Sequence, residues 1–341
     1  MDVKKIGYLS FGHYRDIPGS HTPTARDALL QAIQLAQEAE RVGVDGAFLR
    51  VHHFAPQHSA PFPLLAAMAQ ATERIELGTG VIDLRYENPL YMAEEAAITD
   101  LISGGRLQLG ISRGSPEPAL RGWEAFGYRT PEGMSVAEMA QQKAHVFREA
   151  IRGAGVVQAD PQMTGHDGAL AIDPLSPGLD ERLWWGSGTR ASARWVGEQG
   201  FNLQSSTLLT EDTGESFDAL QAEQIAIYKD AWRQAGHSGE PQVSVSRSII
   251  PLVTDEDHRY FGVRAQAESR DQVGHLEGGL ARFGRSYIGE PEKLVEELAA
   301  DAAVAAADYA LVTVPNQLGV GYNARLLESI VTRVAPDLGW R

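Results

Sequence analysis

Short β-rich apolar runs alternate with longer amphipathic stretches along the whole chain, and this alternation restricts the fold more than any other feature. Strand, helix and strand in succession force parallel pairing, with the helices packed outside the sheet. Strands are expected near 4–10, 45–51, 75–82, 106–112, 182–186, 201–205, 242–250 and 308–314. Helices are expected near 25–42, 61–73, 89–102, 132–152, 189–199, 215–235, 291–305 and 322–334, several of them after a starting residue such as Thr24, Asn88 or Pro131. Eight such units are the number that closes into a (β/α)8 TIM barrel, so one domain over 1–341 is expected. Two segments are too long for ordinary connections: 154–181, rich in Gly, Pro and Asp, and 255–288, which mixes charge with glycine. They read as insertions after strands 4 and 7, the second a candidate lid.

Composition removes several function classes. A formal charge of −15 opposes binding to nucleic acid phosphates or anionic lipid, which require a basic footprint. With no cysteine there is neither a disulfide nor a thiolate nucleophile. No run of 18 apolar residues occurs and the N-terminus lacks a signal-like apolar stretch, so a cytoplasmic location is expected.

In a barrel of this kind the chemistry lies at the C-terminal strand ends, so the polar residues following each apolar run are the candidates. The second run leads into His52 and His53, with His58 close behind. Adjacent residues at a strand end point to opposite faces, and no Asp or Glu lies between 46 and 72, so no metal set is expected here. Two readings remain: histidines that merely cap the rim, or one imidazole turned into a pocket, where it donates a hydrogen bond or moves a proton. The fourth run ends in Ser112, Arg113 and Gly114, and the fifth in GSGT at 186–189. The N–H groups of Gly188 and Thr189, the hydroxyls of Thr189 and Ser192 and the dipole of the following helix suit a phosphate, with Arg113 adding a charged pair. A turn and N-cap without a ligand would use the same residues. GSGTRA also matches the dinucleotide fingerprint, but the next strand, FNLQS, ends without the acidic residue that would hold a ribose hydroxyl.

Over nearly its whole length the chain resembles the bacterial luciferase-like flavin monooxygenase superfamily, whose members are eight-stranded barrels. The resemblance lies in VHHF at 51–54, ELGTGVIDL at 76–84, NPLYMAEEAAITDLISGGRLQLGISRG at 88–114, AFG at 125–127, GSGTRASARWVGEQG at 186–200 and GEPEKLVEEL at 289–298. It implies that His52 stands near the reactive edge of a flavin, and that a non-prolyl cis peptide at Gly80–Val81 lies beneath the ring. Ser112 would lie near the ring, with Arg113, Gly188, Thr189 and Ser192 on the phosphate. The family pattern has EHHF where this chain has VHHF, so Val51 replaces a carboxylate beside the histidine. By the same resemblance the protein is an oxidoreductase that uses reduced FMN, supplied by a partner flavin reductase, and O2 to oxygenate a small organic molecule. Some relatives instead use the deazaflavin F420 for hydride transfer, and a non-catalytic flavin-binding paralogue would keep the same phosphate loop. Relatives often pair through helices near the second and third strands, and PLLAAMAQA at 64–72 offers small residues for such a homodimer.

Overall fold

In a computed structural model, which describes residues 3–340 apart from 115–116, 212–213, 269 and 277–278, eight parallel strands close on themselves. They are β1 (Lys5–Ser10), β2 (Gly46–Leu49), β3 (Glu76–Thr79), β4 (Leu107–Ser112), β5 (Leu183–Ser187), β6 (Asn202–Ser205), β7 (Val243–Arg247) and β8 (Tyr309–Thr313). Each pairs with its neighbours in the order β3-β2-β1-β8-β7-β6-β5-β4, and Leu77 opposite Leu107 joins β3 to β4 and shuts the barrel. All eight expected strands are present.

The strand period of two sends alternate side chains inward and outward. Inside, Leu9, Phe48, Trp184, Tyr309 and Leu311 form a plug. The large rings fit because small residues face them: a Cβ on Gly78 would stand 2.5 Å from Phe48, and one on Gly46 1.9 Å from the Tyr309 hydroxyl. The outward residues pack under the helices in one continuous apolar shell.

The helices of the eight units are α1 (Ala25–Arg41), α2 (Pro61–Ala71), α3 (Pro89–Ser103), α4 (Val136–Ile151), α5 (Arg190–Gln199), α6 (Phe217–Ala235), α7 (Pro291–Ala299) and α8 (Gly319–Ser329). Thr24 caps α1 in a reciprocal box with Asp27, and Asn88 accepts from the N–H groups of Leu90 and Tyr91 at the head of α3. α4 begins later than the expected 132, because Ser135 and Glu138 form its capping box. The stretch expected as one helix over 291–305 is two, α7 and Ala302–Ala306. Asp301 separates them: its carboxylate caps the second helix through Val304 N and also receives Arg247 and the Tyr287 hydroxyl. None of the helices among the described residues is long and apolar enough to cross a membrane.

The 154–181 segment follows α4 and leads into β5, so it lies at the end of the barrel opposite the C-terminal strand ends. It holds a small antiparallel pair, Val157–Gln158 with Ala169–Leu170. Ser176 and Arg182 anchor it to the buried Asp100 of α3, at 2.6 and 2.7 Å. The 255–288 segment lies at the other end. After a helix at Asp255–Phe261 it forms a hairpin, Gln272–Leu276 with Gly279–Phe283, whose second strand pairs with Leu208–Leu209 just beyond β6.

Arg247 and Asp301 are both almost fully buried, so the pair holds the end of β7 only while both charges are present. Asp301→Ala is expected to cost about 3–5 kcal/mol in equilibrium urea unfolding, because it leaves an uncompensated interior charge. Removing Glu38 from its exposed pair with Arg41 is expected to leave the urea midpoint nearly unchanged, because solvent screens the pair.

Candidate active site

The C-terminal strand ends surround a cavity of about 640 Å³. Gly80, Val81, Ser112, Arg113, Gly188, Thr189 and Ser192 all line it, so the seven residues expected to hold a cofactor are brought together from β3, β4 and β5. The Gly80–Val81 peptide is cis. A short strand, Ile82–Asp83, then joins β4 at the rim, with Asp83 opposite Ser112. Gly114 (φ +88) closes this corner, since a Cβ there would stand 2.1 Å from the Asp83 carboxylate.

At one end of the cavity is the start of α5. Thr189 caps it by accepting from Ser192 N at 3.2 Å, which leaves the threonine hydroxyl hydrogen available for donation. Arg190 turns outward: its N–H donates to Glu211 at 3.0 Å, and its guanidinium pairs with Glu223 and Glu211. The N–H groups of Thr189 and Ala191 donate to no other group among the described residues. Gly188 lies so close to the next loop that a Cβ would be 2.7 Å from the Leu208 carbonyl. Arg113 is exposed at the mouth and makes no ion pair among the described residues. Backbone donors, two hydroxyls and one cation thus converge, and this donor set fits a phosphate monoester.

The other end belongs to β2. His52 lines a small recess that shares Arg50, Val81 and Gly114 with the main cavity. Arg50 donates through Nε to His52 Nε2 at 3.1 Å and through a terminal nitrogen to the Gly80 carbonyl at 3.3 Å. Burial, and then the charge of Arg50, pull the His52 pKa down to about 4, so the ring is neutral near pH 7. The three neighbouring histidines part company. His53 lines the same recess and stacks on Tyr86 at 4.1 Å, while His58 is buried against Gly12 with neither ring nitrogen hydrogen-bonded among the described residues.

The electrostatics of the cavity run against those of the chain. Among the described residues three arginines, Arg50, Arg85 and Arg113, line it and no Asp or Glu does, although the chain carries a net −15. Arg85 pairs with Asp83 at 2.6 Å, with Glu117 at 3.7 Å, while Arg50 and Arg113 line the cavity beside it. Between them Val81, Trp185, Leu9 and Leu311 supply apolar surface for a flat ring.

Reading strand ends for histidines and glycine-rich turns passes over Arg50 and the loop after β6, where Ser206, Thr207 and Leu208 line the cavity. Both follow apolar runs, so the strand-end rule itself contains the signal. Phe54 packs against Tyr86 and Phe126, whereas Trp185 faces the cavity.

A barrel of this topology with a phosphate cradle at its C-terminal mouth is a cofactor-dependent enzyme scaffold. The sequence profile of the luciferase-like monooxygenase family matches residues 5–310, and the chain belongs to that family. It is 34% identical over 282 residues to the F420-dependent glucose-6-phosphate dehydrogenase of Amycolatopsis mediterranei, covering 79% of this chain and 77% of that protein. It is 38% identical over 98 residues to the oxygenase component of the flavin-dependent trigonelline monooxygenase of Acinetobacter baylyi, covering 28% of this chain and 27% of the relative. Several other curated relatives are spanned over only 24% to 55% of their length. Among solved structures, the oxygenating constituent of 3,6-diketocamphane monooxygenase from Pseudomonas putida, in complex with FMN, shares the fold, with a TM-score of 0.73 at 17% identity over 98% of both chains.

Burial brings His58, like His52, to a pKa of about 4. A histidine depressed in this way binds fewer protons folded than unfolded between about pH 4 and the ordinary value near 6.5, so stability falls as pH drops through that window. His58→Leu is expected to shrink the loss of stability between pH 7 and pH 4.5, measured as the change in urea midpoint.

Proposed function

We propose that this protein is the oxygenase component of a cytoplasmic two-component monooxygenase, which takes reduced FMN from a separate flavin reductase and oxygenates a small organic molecule. The reading is supported by one observation: a single cavity is lined by Arg113, Thr189 and Ser192, by Gly80–Val81 and by Arg50, whose partner His52 lines the adjoining recess. Reduced FMN, when bound, supplies two electrons, so that one atom of O2 enters the substrate and the other leaves as water. The chain's own work is to bind the phosphate, support the ring and present His52 beside it. The 255–288 segment, whose hairpin pairs with Leu208–Leu209 beside the cavity, would serve as the lid that excludes water. The name of the Acinetobacter relative, an oxygenase component, supports a reductase partner.

Hydride transfer with F420 is the second reading, supported by the 34% identity to an F420-dependent dehydrogenase. The two cofactors differ beyond the phosphate, where FMN ends and F420 continues into an oligoglutamate tail. Glu211 and Glu223 stand on the outer side of the α5 start, and both engage Arg190. A polyanionic tail leaving the cradle there would meet two carboxylates offset by one guanidinium, a net negative charge that favours the cofactor that stops at its phosphate.

The homodimer reading has its support in α3, which leaves Tyr91, Ile98, Leu101 and Ile102 exposed although its other side is buried. A helix apolar on both sides suits an interface, and Ile98→Lys is expected to shift the mass measured by light scattering from dimer to monomer.

Fluorescence titration with FMN and with F420, followed by oxygen uptake in the presence of reduced FMN, tests the cofactor. Binding of F420 alone, without oxygen uptake, would replace the first reading by the second, and tight FMN binding without turnover would mark a non-catalytic relative. Arg113→Ala is expected to weaken FMN binding roughly ten-fold to a hundred-fold, about 1.5–3 kcal/mol for a charged hydrogen bond. His52→Ala is expected to lower turnover far more than FMN affinity.

A further inference from the structure

We propose that Arg50 is a positioning residue that holds His52 as a neutral imidazole protonated on Nδ1, so that His52 acts as a hydrogen-bond donor through that one atom. The inference deepens the proposed function, because it specifies how the histidine beside the ring can act.

The argument begins with the donors. An arginine Nε always carries its hydrogen, so the His52 nitrogen that faces it at 3.1 Å must offer a lone pair. That nitrogen is Nε2, and a neutral ring whose Nε2 is an acceptor carries its hydrogen on Nδ1. Adding a proton to Nε2 would turn two N–H groups toward each other and set two cations side by side. The two residues are separated by one position just beyond β2, so both side chains leave the same side of the extended chain.

Arg50 is itself held. Its guanidinium donates to the Gly80 carbonyl and lies 5.8 Å from the centre of the Phe11 ring. The fixed planar group therefore sets the ring plane of His52, in a way that a flexible lysine would not. Val51 matters equally. It is buried in the apolar shell, at the position where the resemblance places a glutamate, so no carboxylate adjoins His52 in sequence.

Other charged groups near the ring do not reverse the effect. His13, on the segment after β1, and His53 both act in the same direction as Arg50. Asp83 and Glu117 face the same recess, but both are engaged by Arg85. The native ring accordingly titrates at about 4, for burial first and Arg50 second. A ring in this state can steady negative charge developing on an oxygen atom, but it does not act as a base through Nε2.

The test uses the full chain labelled with 15N-histidine and without added cofactor, so it does not depend on which cofactor or substrate the enzyme takes. Two-bond 1H–15N correlation spectra of wild type, assigned through His52→Gln, are expected to show the His52 hydrogen on Nδ1 from pH 5.5 to 8. In Arg50→Met the pKa is expected to rise above that of wild type but to stay below the ordinary value, because burial still disfavours the charged ring, with Nε2–H appearing. Arg50→Lys is expected to keep the low pKa while releasing the tautomer, which separates charge from geometry. A wild-type spectrum with the hydrogen on Nε2 would overturn the proposal without recourse to any variant, and so would unchanged His52 titration and tautomer in a folded Arg50→Met. In turnover with reduced FMN, the acid limb of Arg50→Met is expected to lie at higher pH than that of wild type. If no oxygenation occurs in either protein, the functional reading fails while the spectra still decide the pair.

Discussion

Closure of the sheet between β3 and β4 is the constraint on which the rest of this molecule depends. Parallel strands leave no free edge only when the last meets the first, and here Leu77 and Gly78 against Leu107 and Gln108 make that junction. Once closed, every strand ends on the same rim, so residues more than a hundred positions apart in sequence converge on one cavity. The junction is reinforced from within. Thr79 donates its hydroxyl to the Gly110 carbonyl, and Gln204 reaches across the interior from β6 to the Thr79 carbonyl. A side chain at Gly110 would collide with both Thr79 and Gln204, so the absence of a Cβ is a condition of the junction.

Charge placement follows from the same geometry. Carboxylates far outnumber cations in the sequence, yet those near the mouth are already engaged: Asp83 by Arg85, Glu211 and Glu223 by Arg190. Arg50 and Arg113 are the other two arginines that line the interior. The low-dielectric walls make a charge there count for more than one on the distant surface.

The strand ends were legible in advance because apolar runs and glycine-rich turns are local signals. Ser112–Arg113 and Gly188–Thr189 needed only a closed barrel to bring them together, and the cavity does so. The split of 291–305 into two helices was not legible, since nothing local in that alanine-rich stretch reveals that Asp301 is claimed by Arg247, 54 positions away. Arg50 was passed over for a related reason. A single arginine after an apolar run reads as solvated until the fold places Gly80, Phe11 and His52 around it.

By itself, then, the sequence determined the alternating βα order, the eight units, the phosphate-suited turn and the histidines at the second strand end, because each depends on periodicity or on neighbours within a few residues. Tertiary structure alone decided that His52 and His53 face the recess beside the cavity and that Arg50 stands against His52. These contacts are made by atoms about 3 Å away in space, and one of them, from Arg50 to Gly80, spans 30 positions of chain.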